Sequence, residues 1–521
     1  MRDLHLPGRS EVLATNGMCA TSHPLAAALA VDILKSGGNA VDAAIAAALL
    51  LGLCEPQSTG IGGDMFALIR PPGTDRIIGL NASGRGAAAL DAAKLRAEGH
   101  SEMPLLHPAS VTIPGAIDGF VRLSKDHGRL GLDAVLAPVI AYAEEGVPVA
   151  ERVAFDYRES FDTLSGAGIT HYGRNGAGLR KGDIFRAPGQ AEVLRRVAKE
   201  GRAGFYEGEV AEDMVNSLRA MGGVHTLEDF SETACTYVEP IVGTYKGHDL
   251  IELPPNGQGA TAILLANILA NFDLASMDPQ GADRAHVEAE ATKLAYDARN
   301  RFVADPPHRL DHMLSLDTAK SLADLINPEQ AMASATQISE AVHKDTVYLT
   351  VVDKDRMAVS MIYSIFHSFG SGLASDKFGI LFQNRGGGFT LQEGHPNEAA
   401  GGKRPMHTII PGMIRKGDML MPFGVMGGQY QSTGHARFLT DIVDFEMTQQ
   451  GSLDSPRSFA QEGRLDVERG YGAEVRDALA AKGHDIDIPA TPIGGAQNIS
   501  IRGDLLIGAS DPRKDGAAIG Y

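Results

Sequence analysis

Residues 344–372 read Lys-Asp-Thr-Val-Tyr-Leu-Thr-Val-Val-Asp-Lys-Asp-Arg-Met-Ala-Val-Ser-Met-Ile-Tyr-Ser-Ile-Phe-His-Ser-Phe-Gly-Ser-Gly, and this stretch decides the fold. Residues 346–352 are rich in β-branched side chains and alternate. Val347, Leu349 and Val351 fall on one face, and Thr346, Tyr348 and Thr350 on the other, which predicts a strand. Asp353-Lys354-Asp355-Arg356 is a polar turn, and 357–365 reads as a second strand. The pattern is a β-hairpin that starts abruptly after the polar stretch 339–345. On pattern alone it is a core hairpin following a surface loop.

Working outward toward the N-terminus, residues 23–53 predict two packed helices. The first, 24–35, stops at Ser36-Gly37-Gly38, a natural C-terminal stop. The second starts at Asn39, a good N-cap, with Asp42 in its first turn, where a negative charge suits the helix dipole. Both are rich in alanine and so can lie close to a sheet. Pro56-Gln57-Ser58-Thr59-Gly60-Ile61-Gly62-Gly63-Asp64 is glycine-rich. It lacks the Gly-Lys-Ser/Thr ending of a phosphate loop and the Rossmann spacing, and it predicts a tight connection into a strand over 65–70. A further strand, 77–81, ends at Ala82-Ser83-Gly84-Arg85-Gly86. Helices are predicted over 133–145, 188–200, 208–220, 260–271 and 284–301. The last alternates charge and alanine as a half-exposed helix does. Two more strands, 496–502 and 505–509, close the chain.

Composition bounds the function. A chain of 521 residues has room for two to four domains. A hydrophobic content of 44% with 21% charged residues is that of a globular protein. The net charge of −18 argues against nucleic acid and anionic membrane surfaces as partners. Cys19, Cys54 and Cys235 form no CxxC pair and no disulfide framework, so all three read as buried thiols. No apolar run of signal-peptide length opens the chain. The most apolar stretch, 40–53, is too short for a membrane span and contains Asp42. These features predict a soluble protein of a reduced, cytoplasmic compartment. No tight His/Cys/carboxylate spacing calls for a metal, and no cofactor is expected.

Asp345-Thr346 followed by Val351-Val352-Asp353-Lys354-Asp355 resembles the processing site of the γ-glutamyltransferase family. The resemblance runs from Gly17-Met18-Cys19-Ala20-Thr21-Ser22-His23-Pro24 to Ala509-Ser510-Asp511-Pro512-Arg513. It takes in Phe378-Gly379-Ile380-Leu381-Phe382-Gln383-Asn384-Arg385-Gly386-Gly387-Gly388-Phe389, Gly402-Lys403-Arg404-Pro405-Met406-His407-Thr408 and Phe423-Gly424-Val425-Met426-Gly427-Gly428. Ile113-Pro114-Gly115-Ala116 and Gly204-Phe205-Tyr206-Glu207-Gly208 also match and are given structural roles only. The resemblance implies an α/β N-terminal nucleophile (Ntn) hydrolase with a four-layer αββα sandwich. It also implies self-cleavage between Asp345 and Thr346 into a large subunit, 1–345, and a small subunit, 346–521, which together form one unit.

By the same resemblance Thr346 becomes the N-terminal nucleophile. Its own α-amine can then be the base, since an α-amino group titrates near pH 8. Gly427-Gly428 resembles the family's oxyanion hole, where the lack of a Cβ allows close approach. Ser364 aligns with a hydroxyl residue beside the nucleophile. Arg85 is a candidate for the family's carboxylate-binding arginine, the alternative being a solvated surface charge.

The chain departs from the family's glutamyl-binding members where they hold the substrate ammonium. Phe366, Arg385 and Gly388 stand there, so an acid is missing and a cation is present. His407-Thr408 replaces the serine pair that grips the α-carboxylate. The pocket therefore suits an anionic amide without a free α-amine, because an arginine fork matches a carboxylate. The alternative for Arg385 is a structural ion pair. The Gln-Asn-Arg-Gly loop resembles those of cytoplasmic family members, and oxamate amidohydrolases lie in the same group. Three readings follow: an amidohydrolase of a small carboxylate-bearing amide such as oxamate, a true γ-glutamyltransferase or glutathione hydrolase, and a non-processing metabolite-binding homologue. The expected partners are a small-molecule amide and the two subunits of one precursor, with homodimerisation left open.

Overall fold

The computed structural model describes residues 4–5, 7–332, 346–461 and 463–521. Two seven-stranded sheets lie face to face, and every named pairing in them is antiparallel. The first runs from edge to edge as Ala517–Gly520, Met18–Thr21, Val347–Val352, Ala358–Ser364, Asp64–Arg70, Ile78–Ala82 and Thr236–Val238. The second runs as Val12–Ala14, Leu505–Ser510, Gly495–Arg502, Met419–Met426, Gly412–Lys416, His248–Glu252 and Ile241–Tyr245.

The alternation of 346–352 explains the layering. Val347, Leu349 and Val351 face the helices Pro24–Lys35 and Ala40–Cys54, which cover the outer side of the first sheet. Tyr348 and Val352 point the other way, into an apolar layer shared with Met413, Leu420, Met426, Ile499 and Leu506 of the second sheet. Helices Gly259–Leu269, Ala282–Phe302 and Gln431–Val443 cover the far side of the second sheet. The result is an α/β four-layer αββα sandwich. The predicted hairpin is present as Val347–Val352 and Ala358–Ser364, with Val347 opposite Tyr363.

The helix Ala40–Cys54 is buried along its whole length, as a helix without a polar face must be. Asn39 and Asp42 form a full capping box. Strands from before and after position 345 interleave: Val347–Val352 lies between Met18–Thr21 and Ala358–Ser364. Both seven-stranded sheets draw strands from before and after position 345. Among the described residues, no helix is long and apolar enough to cross a membrane.

Two expectations need correction. The helix over 284–301, which runs Ala282–Phe302, is largely buried rather than half-exposed. Its charges are neutralised inside: Arg284 pairs with Glu288 at 2.9 Å and with Asp441 at 2.5 Å, and Glu288 also meets Arg437 at 2.5 Å. A charge is tolerated in such a place only when paired and hydrogen-bonded. Of the three free cysteines, Cys19 and Cys54 are buried but Cys235 is partly exposed.

Candidate active site

The hairpin register sets the site. With Val347 opposite Tyr363, Thr346 comes beside Ser364 at the open end of the hairpin. Thr346 Oγ1 lies 3.2 Å from Ser364 Oγ, and both residues are buried. Ser364 Oγ also accepts from Phe366 N at 2.8 Å and from Arg385 Nη2 at 3.2 Å. The glycine-rich connection before Asp64 packs directly under this strand end. A Cβ on Gly63 would stand 2.4 Å from the Ser364 carbonyl oxygen, so only glycine allows that approach.

Arg385 opens a short turn, Arg385–Gly388, and is fully buried. Its Nη1 donates to Thr408 Oγ1 at 2.9 Å, and the Phe366 ring lies 4.2 Å from its Cζ. Its Nε has no hydrogen-bond partner, and among the described residues no carboxylate stands within ion-pair distance. Burial pulls its pKa down to about 9, with Asp64 opposing, so it remains a cation at neutral pH. Phe366 holds a positive φ of 80°, a conformation uncommon for a bulky residue and one that clusters at functional sites.

His407 is buried and neutral, its pKa pushed down to about 3 by burial first and Arg385 second, with Asp64 opposing. Its Nε2–H donates to Asp64 Oδ2 at 3.1 Å. Asp64 Oδ1 accepts from Gly84 N at 2.9 Å, Gly115 N at 3.1 Å and Gln383 Nε2 at 2.9 Å. Gln258 Nε2 then joins Thr408 to the glycine pair, donating to the Thr408 carbonyl at 2.7 Å and to the Gly428 carbonyl at 3.2 Å. Gly427 and Gly428 end the strand Met419–Met426 with φ of 116° and 55°. A Cβ on Gly427 would stand 2.8 Å from Gly494 Cα. A chain of bonds thus runs from Thr346 through Ser364, Arg385, Thr408 and Gln258 to Gly428. Beside it opens a cleft of about 180 Å³, lined among others by Gly387, Gly388, Gln429, Tyr296 and Phe459.

The sequence matches the family described as Gamma-glutamyltranspeptidase over residues 26–521. The chain belongs to the gamma-glutamyltranspeptidase family. It is 34% identical to the oxamate amidohydrolase proenzyme of Klebsiella pneumoniae, over 98% of this chain and 100% of that one. It is 33% identical to the glutathione hydrolase-like YwrD proenzyme of Bacillus subtilis, over 98% and 99%. The fold superposes on the crystal structure of cephalosporin acylase from Bacillus halodurans with a TM-score of 0.92 and 36% identity, covering 100% of this chain and 98% of that one. The chain is therefore an enzyme of this family with the Ntn-hydrolase fold.

Not every residue singled out from the family pattern comes together. Thr346, Ser364, Phe366, Arg385, Thr408 and Gly428 share one bonded constellation, with Gly427 next to Gly428 in the chain, and His407 stands one residue away as the partner of Asp64. Arg85 is directed elsewhere: its Nη1 meets Asp305 at 3.3 Å and the Gly402 carbonyl at 3.0 Å, with 40% of the side chain exposed. Asp345 lies outside the described residues. Sequence reasoning in terms of the family missed Asp64, Gln383 and Gln258. The signal for Asp64 was present: an acid heading the apolar run Met65-Phe66-Ala67-Leu68-Ile69 has to find donors.

Proposed function

We propose that this family member cleaves itself before Thr346 and then hydrolyses the amide of a small carboxylate-bearing substrate, oxamate or a close analogue, through an acyl-enzyme. In processing, Thr346 Oγ attacks the Asp345 carbonyl carbon, the peptide C–N bond breaks, and water opens the resulting ester. This frees the α-amine of Thr346. In turnover that amine takes the Thr346 hydroxyl proton while Oγ attacks the substrate amide carbon. The oxyanion forms against the Gly427 and Gly428 N–H groups. The α-ammonium then returns its proton to the leaving nitrogen, ammonia departs, and water hydrolyses the ester by the same proton route.

The observation that carries the substrate class is Arg385. It is a fully buried cation with hydroxyl partners only, one hydroxyl away from the nucleophile. A buried cation without a counter-ion is costly, and a substrate carboxylate would supply one. Asp64 cannot serve a γ-glutamyl ammonium, because both its oxygens are already taken by four donors. Unpaired cysteines fit a reduced, cytoplasmic setting.

Two measurements test this reading. Denaturing intact mass of freshly purified protein is expected to show two pieces, the smaller starting at Thr346. Side-by-side kcat/KM is expected to favour oxamate over a γ-glutamyl anilide. The reverse preference would establish the glutathione-hydrolase alternative, and an uncut, inactive chain would establish the binding homologue.

A further inference from the structure

His286 and Glu290 stand one turn apart on the helix Ala282–Phe302, so they share a face. His484 reaches them from the loop that follows the helix Ala473–Ala481. All three residues are buried, and their ligand atoms lie within 4.8 Å of one another. His286 Nε2 lies 2.8 Å from the Asn327 carbonyl oxygen. A carbonyl only accepts, so the ring proton sits on Nε2 and the Nδ1 lone pair faces His484 Nε2, 2.8 Å away. Donation of the remote ring N–H to a backbone carbonyl is how metal-binding imidazoles are oriented. Glu290 is held in place as well: Oε2 accepts from Met332 N at 2.8 Å, and Oε1 from Lys293 Nζ at 2.7 Å.

We propose that His286 Nδ1, His484 Nε2 and a Glu290 carboxylate oxygen form a binding site for one divalent transition-metal ion of the zinc class. Two imidazoles and one carboxylate suit Zn²⁺, Co²⁺ or Ni²⁺, whereas Ca²⁺ and Mg²⁺ prefer all-oxygen sets. Entry of the ion moves the His484 ring proton from Nε2 to Nδ1 and displaces the Lys293 ammonium from Oε1. No net proton is released. The other nearby ammonium, Lys482, is matched by Asp283 at 3.1 Å and Glu329 at 3.5 Å. His286 and Glu290 precede position 345 and His484 follows it, so the ion would tie together the segments 1–345 and 346–521. The site shares no residue with the catalytic constellation, and its role is structural.

The test uses the full purified protein after chelator dialysis, titrated with Co²⁺ and then Zn²⁺. The expected result is one Co²⁺ per chain with the visible absorption of a four-coordinate ion, displaced by one equivalent of Zn²⁺. Zn²⁺ is also expected to raise the Tm of the wild-type protein and not that of His484→Gln or Glu290→Gln. Absence of stoichiometric Co²⁺ binding by the wild type would overturn the proposal, leaving a direct His286–His484 hydrogen bond. Unchanged binding in both variants would overturn it equally. The wild-type titration decides even if a variant fails to fold.

Discussion

Arg385 Nη2 donates to Ser364 Oγ at 3.2 Å, so the buried guanidinium stands one hydroxyl away from Thr346 Oγ1. On the proposed reading, a substrate carboxylate held on Arg385 would sit close to the scissile amide carbon, with no long acyl chain between them.

Thr346→Ala is expected to remain a single chain and to lose at least about 10³-fold in kcat/KM, since loss of a covalent nucleophile removes most of the catalysis. Thr346→Ser keeps a hydroxyl and is expected to process. Denaturing mass spectrometry after timed incubation reads both. Normal cleavage of Thr346→Ala would refute the nucleophile assignment.

Arg385→Leu separates ligand binding from stability. Removing a buried cation that lacks a counter-ion is expected to leave Tm unchanged or raised. Its kcat/KM for oxamate is expected to fall by the equivalent of about 2–5 kcal/mol, the usual loss when one side of a buried charge pair is truncated. A lower Tm with unchanged kinetics would instead make Arg385 a structural residue.

His407 sets an acid limit on stability. Its folded-state pKa, about 3, lies below the ordinary 6.5. Between those values the unfolded chain takes up a proton that the native protein refuses, so stability falls as pH drops from about 6.5 toward 3. The slope is about 1.4 kcal/mol per pH unit for this one group. Tm measured from pH 7 to pH 4.5 is expected to fall less steeply in His407→Gln, whose amide can still donate to Asp64. Parallel Tm curves for the two proteins would rule His407 out as the cause.

Asp64→Ala leaves Gly84 N, Gly115 N, Gln383 Nε2 and His407 Nε2 without their acceptor. The expected cost is about 3–5 kcal/mol, as for breaking a buried charged network, together with impaired processing, since Gln383 and His407 flank Arg385 in space. Chemical denaturation with timed mass spectrometry measures both. Wild-type stability and cleavage would mean that water satisfies these donors.

Much of this was legible from local pattern. The alternation of 346–352, the Asn39/Asp42 capping box and the stop at Ser36-Gly37-Gly38 each depend on neighbours within a turn or a strand, and each is found where expected. The helix Ala282–Phe302 was misjudged because its pattern shows alternating charge but not where the partners lie. Asp441, Arg437 and His484 are about 150–200 positions away and arrive only when the second sheet is covered. The partner of Arg85 was hidden for the same reason: Asp305, which it pairs with, is 220 residues distant.

The sequence by itself determined the hairpin, the buried helices, the family and the identity of the hydroxyl, cation and glycines available for chemistry, because those follow from periodicity of 2 and 3.6 and from motif order. Only the tertiary structure decided which of them meet. Ser364 reaches Thr346 because the hairpin register pairs Val347 with Tyr363. Arg385 is left without a carboxylate because Asp64 already has four donors. Such outcomes depend on a count of hydrogen-bond partners in a closed interior, which exists only once both sheets are stacked and water is excluded.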